Sequence, residues 1–523
     1  MMSQQGKYDS FFFWTLGLFL GLGIIWFFPW RFQTNDDVMM MWLVSGAYTG
    51  EPEPYAVFIH PWISWVLSRL YSLSPEINWY GLTWFGVNFL SAFLLLKRIW
   101  TTTSPPIQRH FWSLFIALIS FHFALFPQFT LIAGFAALAG LMNVFGSPSK
   151  GKLALAYLAF FLGFSIRWES AVLISLGWIW TAFIFPQVRG TFPLAKILGL
   201  AFLAVFLWLG KWGYEKTFVP EGYLNFNSAR AKVLDHPVFV QESQEGNIPL
   251  STDWFYVSRW MFEELPLETS DFKTKVQELN QKLWSWKAVK DGFLRVFRVQ
   301  FTELFKSMLI LTLLGAFIFI RENWKKKLVF LGLWVLFYLI FNHFNLLLGR
   351  VNLLFFIVLL IPVFKTPIRE GKTKRIQILI SLFLLFLLIH CFNFLKEAQG
   401  RKQVEEEFFS LLENRDSQAP VFLEGIMEYL FLENFSQTHP VPFLSFGWIS
   451  RSPMQEKAYF LRGYSNQKEI KEFYLFAFQF PEPLVFPDYM NRISPGFQLQ
   501  SEQKSPSLVR LHYVKSKPVS DLP

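Results

Sequence analysis

Apolar residues in this chain come in long runs, and the polar residues gather between them. A helix that crosses the hydrocarbon core of a membrane needs about 20 mostly apolar residues. Runs near that length stand at 11–30, 79–96, 111–127, 129–146, 153–168, 170–186, 194–212, 306–320, 328–345, 351–364 and 376–395. Read as helices, they predict an all-α polytopic membrane protein with about eleven transmembrane helices. Several runs are shorter than ideal, so tilt, breaks or local thinning of the bilayer must accommodate them. The first run follows only Lys7 as positive charge and is not followed by a small-residue cleavage site. It therefore reads as an anchor rather than a removed signal peptide.

Three polar segments are too long to be simple connections: 31–78, 213–305 and 396–523. The last combines a helical start, Leu395 to Leu412, with strand-like pieces at Val421–Leu423 and Leu508–Val514. That is enough chain for a small α/β domain, which divides the protein into a transmembrane part, 1–395, and a C-terminal domain, 396–523. No repeat of fixed period and no Gly/Ser linker interrupts this plan.

Charge then sets the orientation. Lys97, Arg98 and Arg109, Lys150 and Lys152, Arg189, Arg321 and Lys325 to Lys327, and Lys365, Arg369, Lys372, Lys374 and Arg375 all fall in alternate short connections. The opposite connections hold only Arg167 and Arg350. By the positive-inside rule the N-terminus is cytoplasmic, and the three long segments, including the C-terminal domain, lie outside (N-in/C-out). Composition agrees: 53% of the 523 residues are hydrophobic and 16% charged, against roughly 25% charged in a soluble domain. Aromatic residues reach 20%, which suits a lipid-facing surface with aromatic belts. The net charge of +10 is spent on topology, which removes the case for a nucleic-acid partner. A lone cysteine, Cys391, excludes an internal disulfide framework.

The richest chemistry follows the first run, at Thr34-Asn35-Asp36-Asp37. Thr34 or Asn35 can cap a helix whose first-turn acids complement its dipole, and Thr34-x-x-Asp37 has the spacing of a capping box. The same carboxylates, standing where the chain leaves the bilayer, also suit an active site. Adjacent residues on a helix point about 100° apart, so one aspartate at most faces a given ligand. Asp36 is the better base and Asp37 the better cap.

Further along stand Gly46-x-Tyr48-x-Gly50 and then His60-Pro61, which opens an amphipathic helix through Trp65, Leu67, Arg69 and Leu70. Arg167-Trp168-Glu169 sits at a turn between two runs, either as a local ion pair with a belt tryptophan or as a phosphate ligand. Asn342-His343-x-Asn345 and Gly349-Arg350-x-Asn352 form a second polar cluster, with His343 more suited to helix packing and Arg350 to phosphate. Arg230 and Asp253 in the 213–305 segment are candidates to line an outer cavity. Asn434-Phe435-Ser436 is a formal glycosylation sequon, and no HExxH, GxSxG, Gly-rich phosphate loop or EF-hand pattern is present.

The order Asp36-Asp37, Gly46-x-Tyr48-x-Gly50, His60-Pro61 resembles the first outer loop of the GT-C superfamily of membrane glycosyltransferases. The nearest patterns are those of the protein O-mannosyltransferases and the lipid A aminoarabinose transferase, with Trp62 standing where their second proline would be. The motif covers roughly the first hundred residues, and topology alone carries the likeness further. The resemblance implies sugar transfer from a polyprenyl-phosphate donor to a glycan, lipid or protein acceptor on the outer face of a cell membrane, the inner membrane of a bacterium. It further implies Asp36 or Asp37 as base, inversion at the anomeric carbon, Arg167 and Arg350 on the donor phosphate, and His60, Glu169, Arg230, Asp253 and His343 around the substrates. A divalent cation would have to be held through the acid pair, which is a poor ligand set alone. The competing reading is a transporter or flippase for a lipid-linked or anionic substrate, in which these charges line a translocation path.

A reporter active only outside the cytoplasm is expected to work when fused after residue 400 or within 230–260. It is expected to be silent at 100–108 and 368–374. A cytoplasmic signal from the C-terminal fusion would overturn the parity of the spans.

Overall fold

The described residues of the eleven apolar runs are mostly helical in the computed structural model, which describes residues 4–101, 106–145, 150–185, 193–365, 373–415, 417–430, 436–479 and 483–516. Arg189, Arg369 and Lys372 of the short connections lie outside these residues, as do Asn434 and Phe435 of the sequon. Among the described residues five helices are long and apolar enough to cross a membrane by themselves, and six if one bent pair counts as a span. They are Tyr8–Trp26, Trp79–Thr101, Leu194–Phe218, Trp324–Phe344 and Ile378–Glu413, with the pair Trp286–Gln300 and Leu304–Phe319 as the sixth. The helices at Gln4–Trp26 and Leu194–Phe218 turn Phe12, Phe13, Phe19, Phe202 and Phe206 outward, as expected of helices solvated by lipid.

The shorter apolar helices, among them Phe129–Val144 and Trp168–Ile184, are packed inside. Phe129–Val144 is buried along its whole length. Its close approach to Lys150–Ile166 depends on glycine: a Cβ on Gly140 would lie 2.7 Å from the Phe160 nitrogen, and one on Gly163 would lie 2.6 Å from the Ala133 oxygen. Small residues at such crossings replace the hydrophobic driving force that lipid removes. The run at 351–364 is broken into Gly349–Ile357 and Leu360–Lys365.

The last run does not stop at residue 395. It continues as one helix, Thr373–Glu413, of 41 residues into the C-terminal domain. There a five-stranded sheet has the order β2-β1-β3-β5-β4, with β1 Val421–Glu424, β2 Phe443–Leu444, β3 Glu472–Phe478, β4 Phe497–Lys504 and β5 Leu508–Lys515. β1 pairs in parallel with both β2 and β3, while β5 runs antiparallel to β3 and β4. The expected α/β domain is thus present, with β2 a two-residue strand that no alternation in the sequence announces.

Two polar clamps hold this domain to the rest. Gly46 ends the helix Asn35–Ser45 at φ +78°, where a Cβ would meet the Glu51 carbonyl carbon at 2.7 Å. The turn it allows presents Tyr48, whose hydroxyl accepts from the Ser445 N–H (2.9 Å) and donates to Gln455 Oε1 (2.7 Å). The Val441 N–H donates to the Ala47 carbonyl (2.8 Å). The second clamp is Arg451, whose guanidinium donates to the carbonyls of Phe262, Glu263, Leu265 and Leu267 at 2.6–3.1 Å. Arg451→Ala strips charge-assisted donors from all four carbonyls and is expected to cost about 3 kcal/mol. The loss should appear as a lowered unfolding temperature and as new proteolytic cleavage within 259–268.

Candidate functional site

The aspartate pair divides its labour. Asp37 is wholly buried, and both its oxygens are occupied. Oδ1 accepts from the Tyr80 hydroxyl (2.9 Å) and the Trp84 indole N–H (3.1 Å). Oδ2 accepts from the Thr34 hydroxyl (3.1 Å) and the Phe129 backbone N–H (3.4 Å). Thr34 does occupy the N-cap position, but its hydroxyl bonds the Asp37 side chain instead of a backbone N–H, so the expected capping box is replaced by a side-chain pair. Tyr80 and Trp84 stand one turn apart on Trp79–Thr101, a spacing that aims both at one point. Burial pushes the Asp37 carboxyl up to about 7 against the lowering effect of these donors.

Asp36, one residue earlier, points elsewhere. With Asn35 and Met39 it forms one wall of a cavity of about 420 Å³. Arg259 and Trp260 of the 213–305 segment form a second wall, and Leu423, Gly425, Ser445, Gly447 and Trp448 of the C-terminal domain a third. These last residues lie at the carboxyl ends of the parallel strands β1 and β2, where open α/β sheets offer their binding crevices. Arg350 Nη2 stands 3.8 Å from Asp36 Oδ2, both side chains being about one-quarter exposed. Arg350 sits in the first turn of Gly349–Ile357, where a cation opposes the helix dipole by about 0.3–1 kcal/mol, a cost that the partner carboxylate offsets.

Other charges gather around the same space. Asp235 is accessible to water yet walled in by protein, which pushes its carboxyl above the usual range, and the fields of Arg230, Asp36, Arg350 and Arg167 all reach it. Arg230 is buried behind the cavity wall. Its fork rests on Asn227 Oδ1 (3.2 and 2.6 Å), and its plane lies 5.3 Å from the Trp260 ring centre. Trp260 itself holds φ +64°, in the left-handed region that costs a non-glycine residue about 1–3 kcal/mol and that clusters at functional sites. Arg167 is paired with Glu169 (3.1 Å) and lies over the rings of Phe58 and Phe129, the residue whose N–H holds Asp37. Phe58 in turn touches Trp448 at a centroid distance of 4.8 Å.

His60 belongs to a neighbouring, smaller cavity of about 140 Å³ with Ser165, Trp168, Lys211 and Glu215. Its Nδ1 accepts from the Trp62 N–H (3.2 Å), which makes it the N-cap of Pro61–Leu73, and its Nε2 meets the Leu207 carbonyl (2.9 Å). Burial holds the imidazole down to about 4, so it is neutral and fully used in positioning.

Like His60, two further expected site residues stand apart from the Asp36 cavity. Asp253 is ion-paired to Arg492 of the C-terminal domain (3.0 Å) and does not line the cavity. His343 packs against Trp284 (5.2 Å between ring centres) in a separate cleft of about 310 Å³. The acid pair offers no metal site, because four donors already occupy Asp37. Among the described residues no group of three or more His, Cys, Asp or Glu side chains is placed to hold a metal ion. Sequence reading passed over Arg259, Trp260 and Asp235 as members of the site. The Asp235-His236 pair is visible in the sequence, but nothing local distinguishes it from a solvated loop. Comparison of the chain with protein-family models, with curated proteins and with solved structures finds no match, so the site is read from its own geometry.

The folded state keeps a proton on Asp37 that the unfolded chain, with an ordinary value of 3.8, releases. Stability is therefore expected to fall by a few kcal/mol as pH rises from about 4 to about 7, and to level above that. Asp37→Asn should flatten this slope in thermal unfolding of the purified protein. Asp37→Ala should remove the slope as well, and should cost about 3 kcal/mol below about pH 4, by orphaning the Trp84 and Phe129 donors, and less as pH rises toward 7.

Proposed function

We propose that this chain is a membrane glycosyltransferase of the GT-C kind. In this reading it crosses the membrane about eleven times with its N-terminus inside. It moves a sugar from a polyprenyl-phosphate donor to an acceptor on the outer face. The observation that carries the reading is the meeting of Asp36 and Arg350 at the edge of a cavity roofed by the C-terminal domain. The acceptor hydroxyl attacks the anomeric carbon and gives its proton to Asp36. The bond from that carbon to the donor phosphate breaks, and the phosphate leaves with the electron pair. Attack from the side opposite the phosphate inverts the centre.

The guanidiniums support such a leaving group. Arg350, Arg259, Arg230 and Arg167 stand around the space among the carboxyls Asp36, Asp235, Glu169 and Glu424, so developing phosphate charge meets fixed cations there. Arg350 is then shared between Asp36 and the phosphate, which keeps the base aimed before substrate arrives. With Asp37 committed to the fold, Asp36 is the residue left free to take a proton. His60 and Glu169 act by holding the chain and Arg167, not by touching the reacting atoms.

Asp36→Asn should leave membrane abundance and unfolding temperature unchanged while lowering transfer about 10²–10⁴-fold, the usual contribution of a general base. The assay is mass spectrometry of lipid-linked sugars and cell-surface glycans in a deletion strain complemented with each variant. Normal transfer by Asp36→Asn at normal abundance would remove the proposed role.

A further inference from the structure

The helix Trp286–Gln300 is built inside out for a helix in water. Its hydrogen-bonding side chains face the protein. Arg295 donates from Nε to Asn342 Oδ1 (3.0 Å) and from Nη2 to the Asn342 carbonyl (2.7 Å), and Gln300 donates to Tyr338 Oη and Asn352 Oδ1, both at 3.0 Å. Asn342 Nδ2 closes the contact on the Gly292 carbonyl (2.6 Å). The aromatic side chains face away: Trp286 is 80% exposed, Phe293 53% and Phe297 51%. Burying a large apolar side chain stabilises by about 1.5–3 kcal/mol, so such a face is not left to water while the polar one is buried.

What covers it follows from where it leads. The chain bends by 97° after Gln300 and continues as the apolar helix Leu304–Phe319. The exposed apolar surface continues through the bend, with Phe301 at 82%, Leu304 at 58% and Leu311 at 61%. A helix that meets a membrane-facing helix near a right angle, on the same apolar surface, lies along the membrane plane. Lys290 and Arg298 are exposed on and beside the aromatic face, where long cationic side chains reach from apolar surroundings to phosphate headgroups, while Lys287 is paired with Glu245 (2.7 Å).

We propose that Trp286–Gln300 is an in-plane membrane anchor, its aromatic face in the boundary between headgroups and acyl chains of the bilayer. The anchor has a place in the site as well. Gln300 holds Asn352, and Thr302 Oγ1 packs within 3.6 Å of where a Cβ on Gly349 would stand, so the membrane surface fixes the start of the helix that carries Arg350. The proposal is independent of the transferase chemistry and requires only that the chain is embedded in a bilayer.

The test is spin-label accessibility in the full-length protein, with Cys391→Ala as background, reconstituted in vesicles of phosphatidylethanolamine and phosphatidylglycerol. Labels on Phe293→Cys and Phe297→Cys should relax with oxygen as strongly as one on the lipid-facing Phe202→Cys, and should be shielded from a water-soluble nickel chelate. Ser270→Cys should show the opposite ratio. Nickel access at 293 and 297 equal to that at 270 would overturn the proposal. So would dipolar broadening at 293 and 297 that disappears on dilution with unlabelled protein, because a second copy would then cover the face.

Discussion

One buried carboxyl decides how the membrane part meets the cavity. Asp37 joins three elements that are distant in sequence: its own helix, Trp79–Thr101 through Tyr80 and Trp84, and the wholly buried Phe129–Val144 through its first N–H. A carboxyl at zero exposure costs several kcal/mol unless donors surround it, and here four do. Once it is pinned, the rotation of the helix Asn35–Ser45 is settled. The preceding residue then has to point about 100° away, which carries Asp36 to the cavity side. Of two identical residues in sequence, one is consumed in fixing the direction of the other.

The cavity that Asp36 faces is assembled from three parts of the chain that local structure would never bring together. The Gly46-to-Gly50 turn serves as the seat of the C-terminal domain, through Tyr48, Ala47 and the Arg462 guanidinium, which donates to the Tyr48 carbonyl at 3.3 Å. Arg451 then binds the 262–267 backbone to the same domain. The carboxyl ends of β1 and β2 become a wall only because both clamps hold. The Gly46-x-Tyr48-x-Gly50 motif is thus a docking surface for the C-terminal domain.

The apolar helices were legible because about 20 consecutive apolar residues have few alternatives to a helix in a membrane or a core. The same runs say nothing about which surface they meet. Phe129–Val144 and Leu194–Phe218 read alike in sequence, yet one is enclosed by protein and the other faces outward. Trp286–Gln300 escaped notice because Lys287, Lys290, Asp291, Arg295 and Arg298 dilute its apolar positions below any hydropathy threshold. Asp36 and Arg350 were legible as exceptions, charges standing where the surrounding pattern disfavours them, and they meet in space. Asp253, a cavity candidate in sequence, pairs with Arg492 instead, and His343, read there as better suited to helix packing, packs against Trp284. Trp260 carried no sign in sequence, since its role rests on a left-handed backbone that only the fold imposes.

The helix Thr373–Glu413 spans about 60 Å without interruption at 1.5 Å per residue. Its far end is built into the sheet: Glu407 accepts from Ser505 and Ser507, Phe408 packs against Phe443 and Phe476, and the Leu411 carbonyl accepts from Arg510. Phe443 begins β2, so the same rod that lies among the apolar helices ends against the cavity roof. A rod of this length acts as a lever. Membrane helices answer a change in bilayer thickness by tilting, and a few degrees at the base become several ångströms of sweep at the tip. Here the tip is not free to sweep, because the Tyr48 and Arg451 clamps hold the same roof from the other side, so the packing of the rod's base and the place of the β-strand ends over Asp36 are set together.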